Sequence, residues 1–178
     1  MNELDILADN GIGVIPTDTL YGVVGSAFSQ KAVEKIYSVK GRDENKPFII
    51  LISTIGDLEK FGIELLPGQT EFLNSVWPGA VSLILPCLKK EFEYLHRGTN
   101  SLAFRLPDDK NLLEFLKKTG PLVAPSSNPQ GKVPAHTLGE AKKYFGDNVD
   151  FYIDGGEKNG QPSKIVSLLE VEPKIIRS

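Results

Sequence analysis

The chain has 178 residues, 40% of them hydrophobic, which fits a single domain, residues 1–178, with one sizeable core. A formal net charge of −3 argues against a strongly basic nucleic-acid-binding domain and leaves a local positive cleft as the route to any RNA contact. One cysteine, Cys87, excludes an internal disulfide and a thiolate metal site, and reads as a small core residue. No apolar run approaches the roughly 18 residues of a membrane span, and Met1-Asn2-Glu3-Leu4-Asp5 is acidic where a secretory leader is basic, so the expectation is a soluble cytoplasmic protein with no membrane partner.

Leu4 to Ala8 carry apolar groups at i, i+3 and i+4, with Asn2 as cap and Asn10-Gly11 as stop, which predicts a short amphipathic helix. Two apolar runs follow, Gly13-Val14-Ile15 and Gly22-Val23-Val24-Gly25, joined by Pro16-Thr17-Asp18-Thr19-Leu20-Tyr21-Gly22. That junction holds two hydroxyls, a carboxylate and a phenol between two core strands. Such a cluster faces a cleft when it carries function, because buried polar groups need partners and sites collect on loops at strand ends. Pro, Thr and Asp are also ordinary turn residues, so a plain turn accounts for the same stretch.

From Ser29, a good cap, Ala32, Val33, Ile36 and Tyr37 form a helical stripe ending at Gly41, which puts Lys40 at a helix C-terminus and Arg42 in the loop beyond. If that loop is extended, Lys40 and Arg42, two apart, direct their side chains to one side; on a helix they diverge by about 200 degrees. Phe48 to Ile52 reads as a strand buried on both faces, which calls for helices on both sides of a sheet. A helix within Gln69–Val76 stops at Trp77-Pro78-Gly79, and Val81–Leu85 is a strand. Glu91–Thr99 shows no clear period.

Ser101–Arg105 predicts a further strand, and Asp109–Lys118 a helix closed by Gly120. Pro121–Pro125 leads as a strand into Ser126-Ser127-Asn128. Thr137-Leu138-Gly139-Glu140 is a capping box that opens the last helix, which ends at Gly146. In the tail, Asp154-Gly155-Gly156 and Pro162-Ser163-Lys164 precede strands at Ile165–Leu169 and Lys174–Ile176. Glycines in the Gly155–Gly160 loop either let backbone approach a ligand or make a flexible turn. The elements predict a single α/β domain: a twisted mixed sheet, flanked by helices on parts of both faces, with a concave cleft at the site.

No P-loop and no dinucleotide fingerprint occurs, and two scattered histidines with one cysteine make neither a zinc site nor a catalytic triad. What remains is cations, hydroxyls and one amide, a set that positions a small polar molecule and neutralises a polyphosphate. Sixteen lysines stand against four arginines, Arg42, Arg97, Arg105 and Arg177. Where lysine is the default solvated charge, an arginine is placed for its planar fork, and Arg42 and Arg105 lie beside the polar clusters.

Pro16–Gly22, Lys40-Gly41-Arg42, Trp77-Pro78-Gly79, Arg105-Leu106-Pro107, Ser126-Ser127-Asn128 and Pro162-Ser163 occur in the order of the motifs of the YrdC-like threonylcarbamoyl-adenylate synthases. The chain resembles the stand-alone form of that family from Gly13 to Arg177. The resemblance implies a nucleotidyltransferase that joins L-threonine, bicarbonate or CO2 and ATP into threonylcarbamoyl-adenylate and pyrophosphate. It implies Mg2+ with the ATP, a downstream threonylcarbamoyl-transferase complex and a possible tRNA contact. Motif by motif, Lys40 and Arg42, as the catalytic pair, with Lys46, Ser126, Asn128 and Ser163, would hold ATP; Thr17, Thr19, Tyr21 and Arg105 would line the threonine pocket. Ala80, Ser82, Ser127 and Lys164 depart from the common pattern. Two other readings stand beside this one: a double-stranded RNA or tRNA-binding module without catalysis, and a carbamoyl-adenylate enzyme with a different acceptor.

Overall fold

The computed structural model describes residues 1–170 and 172–178. Its helices are α1 (Glu3–Ala8), α2 (Gln30–Lys40), α3 (Pro67–Val76), α4 (Glu93–His96), α5 (Lys110–Thr119) and α6 (Leu138–Phe145). Its strands are β1 (Ile12–Pro16), β2 (Tyr21–Ser26), β3 (Ile49–Leu51), β4 (Val81–Pro86), β5 (Ser101–Arg105), β6 (Leu122–Val123), β7 (Phe151–Tyr152), β8 (Lys164–Ser167) and β9 (Lys174–Arg177). They form one mixed sheet in the order β7-β1-β2-β6-β3-β5-β4-β8-β9.

Local chemistry accounts for most of the boundaries. Asn2, Ser29, Asp109 and Thr137 each accept a backbone N–H of the first helical turn, as their positions predict. Two runs read as strands are shorter than expected, because only Ile49–Leu51 of the first and Leu122–Val123 of the second find ladder partners. Glu91–Thr99 holds the single-turn α4, closed by Arg97 at φ 51. A 3-10 helix at Ile55–Phe61 and strand β7 have no periodic signal long enough to announce them.

The sheet divides its side chains by parity. Val14, Val23, Ile50, Leu83, Leu85, Leu102, Phe104, Val123 and Val166 belong to the larger core with Ala32, Val33 and Ile36 of α2, Leu73 of α3, Leu95 of α4 and Phe145 of α6. Their neighbours Ile15, Val24, Leu51 and Leu122 pack on the other face with Leu7 of α1 and Leu112 and Leu116 of α5. The remaining residues of that second parity, Gly22, Ile49, Ile84, Ala103, Arg105, Ile165 and Arg177, line a cavity instead. No described helix is long and apolar enough to cross a membrane.

Ser127 is wholly buried and its hydroxyl has no hydrogen-bond partner. A buried hydroxyl left unpaired costs on the order of 1–3 kcal/mol relative to an apolar group of similar shape. Ser127→Ala is expected to stabilise the protein by about 1 kcal/mol, read as a higher urea midpoint at unchanged slope. A lower midpoint would contradict this account of Ser127.

Candidate active site

The β1–β2 hairpin, in register from Ile12↔Gly25 to Pro16↔Tyr21, delivers Thr17–Leu20 as its tip. Thr17 ties the tip: its hydroxyl donates to the Leu20 carbonyl at 2.6 Å and accepts the N–H groups of Thr19 and Leu20, both at 3.2 Å. The turn reading and the site reading of this stretch therefore both hold, for different groups. The Thr19 hydroxyl lies 3.1 Å from that of Thr17 and 3.5 Å from Arg105. Thr17, Thr19, Tyr21 and Arg105, separated by up to 88 positions, line one cavity of about 450 Å3.

Arg105 ends β5, where it is 5% exposed, and its NH1 pairs with the Asp18 carboxylate. Its Nε has no partner within the protein. An arginine buried this deeply requires a counter-charge, and Asp18 supplies it from the hairpin tip. Tyr21 uses its hydroxyl on the tail loop, donating to Gly156 O at 2.8 Å and accepting from Gly155 N at 2.9 Å. Burial raises its pKa, so it remains the neutral phenol. The tail loop comes this close because a Cβ on Gly160 would stand 2.3 Å from the Thr19 carbonyl oxygen. These glycines serve the approach of protein backbone to the hairpin tip.

Across the cavity, Ser126 sits beside Gly22 because the chain beyond β6 continues along β2, with Val23 N donating to Pro125 O and Ser127 N to Tyr21 O. Ser163 bonds the Ser82 hydroxyl at 2.8 Å, and its carbonyl accepts both Nε and NH2 of Arg177. Arg42, Ser126 and Ser163 line the cavity with the four hairpin and strand residues. Arg42 directs Nε to Lys46 O at 3.2 Å and NH2 to Pro47 O at 3.4 Å.

Three of the ten residues singled out by motif are not in the cavity wall. Lys40 is 3% exposed and donates Nζ to the carbonyls of Ser126 and Asn128, so it braces the loop from behind. The extended arrangement of Lys40 and Arg42 is corrected here: Lys40 is the last helical residue of α2, and Gly41 is left-handed (φ 56, ψ 36), which sends the two cations to different partners. Asn128 spends its amide on Pro129 O and Lys132 O and accepts from the Ser126 hydroxyl. Lys46 is exposed and contributes its backbone carbonyl to Arg42.

Arg177 was the residue the motifs passed over. It lines the cavity from β9, opposite Ile165 in the ladder, and its pKa is lowered by burial and then by Arg105 and Arg42. Its signal was the scarcity of arginine, since three of the chain's four arginines converge here. Among the described residues no aspartate or glutamate lines the cavity, and Asp18 pairs with Arg105. Three guanidinium groups with hydroxyls around them and no carboxylate in the wall suit an anion.

Lys40 carries a pH consequence. Burial, and secondarily Arg42, push its pKa down to about 7 from the usual 10.5. Between those values the unfolded chain binds the proton and the folded one does not, so the Lys40 contribution to stability rises with pH from about 7 to 10.5 and is level below 7, where both states bind it. Wild type should therefore gain stability over Lys40→Met across that window, by at most about 1.4 kcal/mol per pH unit. Parallel stability curves for the two proteins would contradict this.

Residues 5–178 match the Sua5/YciO/YrdC family, described as telomere recombination. A Bacillus subtilis protein named threonylcarbamoyl-AMP synthase is 32% identical over 176 residues, which cover 97% of this chain and 51% of the relative. A Marinobacter nauticus protein of the same name is 31% identical, covering 89% and 85%. The structure of P. abyssi Sua5 complexed with L-threonine superposes with a TM-score of 0.90 at 28% identity, over 98% of this chain and 52% of that one. The chain thus spans about half the length of the Bacillus and Pyrococcus relatives and most of the Marinobacter one. With a nearly full-length family match, a mixed sheet superposable on Sua5 and seven of the ten motif residues in the wall of one cavity, this chain belongs to the Sua5/YciO/YrdC family.

Proposed function

We propose that this protein is a threonylcarbamoyl-AMP synthase, which makes threonylcarbamoyl-adenylate and pyrophosphate from L-threonine, bicarbonate or CO2, and ATP. The observation that carries the reading is the acid-free cavity with three arginines. The names of the relatives and the threonine complex of P. abyssi Sua5 support it.

Arg105, with Thr17, Thr19 and Tyr21 around it, takes the threonine end. Its unpartnered Nε accommodates the amino-acid carboxylate while Asp18 retains NH1. Arg42 and Arg177, with Ser126 and Ser163, take the phosphates, since neither arginine has a carboxylate partner. Lys40 and Asn128 act through the Ser126–Asn128 loop, which they brace.

Reaction of CO2 with the threonine amine forms a C–N bond and releases a proton, giving a carbamate. A carbamate oxygen then attacks the α-phosphate, and the bond to the β,γ-pyrophosphate breaks. The chain supplies positioning and neutralisation of developing charge, with no covalent nucleophile. ATP would carry Mg2+ with it. No group of three or more metal-ligating side chains exists among the described residues, and the cavity wall has no carboxylate, so phosphate oxygens and water would complete the ion's shell. The adenylate is then the activated donor for a threonylcarbamoyl-transferase complex acting on tRNA, and a cytoplasmic place of action fits these substrates.

Purified protein is expected to release pyrophosphate only when threonine, bicarbonate, ATP and magnesium are all present. Threonine-independent release would overturn the reading in favour of another acceptor, and RNA affinity without ATP binding would favour the RNA-binding module. Within the synthase, Arg42→Ala is expected to lower turnover by on the order of 10²–10³, the usual loss for one pre-placed donor, with Arg42→Lys restoring part of it. Wild-type turnover in Arg42→Ala would remove Arg42 from the chemistry.

A further inference from the structure

Arg42 has no carboxylate partner among the described residues, yet it lines the cavity. Tyr37, a buried residue of α2 that does not itself line the cavity, meets Arg42 once directly and twice through Lys46 and Phe48. The backbone carbonyl of Tyr37 accepts the Arg42 N–H at 3.2 Å. The Tyr37 hydroxyl donates to Lys46 O at 2.9 Å, the same oxygen that accepts Arg42 Nε at 3.2 Å. The Tyr37 ring stacks on Phe48, centroids 4.0 Å apart at 23°, and Arg42 lies over the Phe48 ring, 5.4 Å from its centroid. Arg97, paired with Glu34 at 3.0 Å, covers the Tyr37 ring at 4.2 Å.

We propose that Tyr37 is the positioning residue for Arg42: its hydroxyl fixes the Lys46 carbonyl, its ring supports Phe48, and together these aim the guanidinium into the cavity. The inference rests on the reading of Arg42 as a phosphate-binding group. A neutral hydroxyl suits the task, because it can donate to a carbonyl without attracting the guanidinium away from the cavity, as a carboxylate would. Burial raises the Tyr37 pKa, so the donor persists at neutral pH. The Phe48 ring adds a cation–π attraction that occupies no further guanidinium N–H group.

The test is a double-mutant cycle on MgATP binding, measured by calorimetry on wild type, Tyr37→Phe, Arg42→Ala and the double variant, with L-threonine KM and melting temperature as controls. Tyr37→Phe retains the stacked ring and removes only the hydroxyl. It is expected to weaken MgATP about three- to tenfold, the size of one neutral hydrogen bond, with the KM for threonine unchanged. In the Arg42→Ala background the same change should have no further effect, because the residue it acts through is gone. Arg42→Gln provides a second background should Arg42→Ala lower the melting temperature. Equal MgATP affinity in Tyr37→Phe and wild type, or an equal loss in both backgrounds, overturns the proposal. A wild-type protein that does not bind MgATP overturns the phosphate reading of Arg42 itself.

Discussion

Alternation of side chains across the nine-stranded sheet is the constraint on which both core and cavity depend. Phe104 and Arg105 are adjacent on β5; one enters the larger core and the other the cavity wall. Leu83 and Ile84 on β4, and Val166 and Ile165 on β8, divide in the same way. A slip of one residue in the β5 register would bury the guanidinium among phenylalanines and turn Phe104 into the cavity. The hydrophobic face that selects the register thereby selects the position of the chemistry. On the second face, α1 and α5 cover only part of the sheet, and Gly22, Ala103, Ile84 and Ile165 are left as the cavity lining.

Electrostatics then distinguishes the three arginines of that cavity. Arg105 is buried and carries its own counter-ion, Asp18, while its Nε has no partner within the protein. Arg42 and Arg177 are satisfied by backbone carbonyls, which supply dipoles and leave the net charges in place. Their mutual repulsion with Arg105 is part of what lowers the Arg177 pKa, and an anion of several charges would relieve it.

The buried cations show why backbone carbonyls suit such a site. Lys40 and Arg42 are neighbours in sequence across Gly41, yet Lys40 ends on the carbonyls of Ser126 and Asn128 and Arg42 on those of Lys46 and Pro47. Each loop is drawn in by a cation and donates no negative charge to the cavity. The cost falls on Lys40, whose ammonium is disfavoured by burial. Ser127, between two braced residues, fills core volume with an unpaired hydroxyl.

Capping residues, helix stripes and the polar hairpin tip were legible in the sequence because each depends on contacts within a few residues: Ser29 with Ala32, Thr137 with Glu140, Thr17 with Leu20. The ordered motifs likewise identified the family and seven residues of the cavity wall, since they carry the polar groups that a packed core would exclude. Strand lengths, the order β7-β1-β2-β6-β3-β5-β4-β8-β9 and the part of Arg177 were decided only by tertiary structure. Leu122–Val123 is a strand because β2 and β3 lie on either side of it, and Arg177 reaches the cavity because β9 pairs with β8. Lys40 illustrates the same boundary: its place at a helix end is local, but its exclusion from the cavity follows from the left-handed Gly41 and from two carbonyls 86 and 88 residues away. Local hydrogen bonds and periodicity are written in neighbouring residues, whereas the partner of a buried charge is settled only when distant strands have paired.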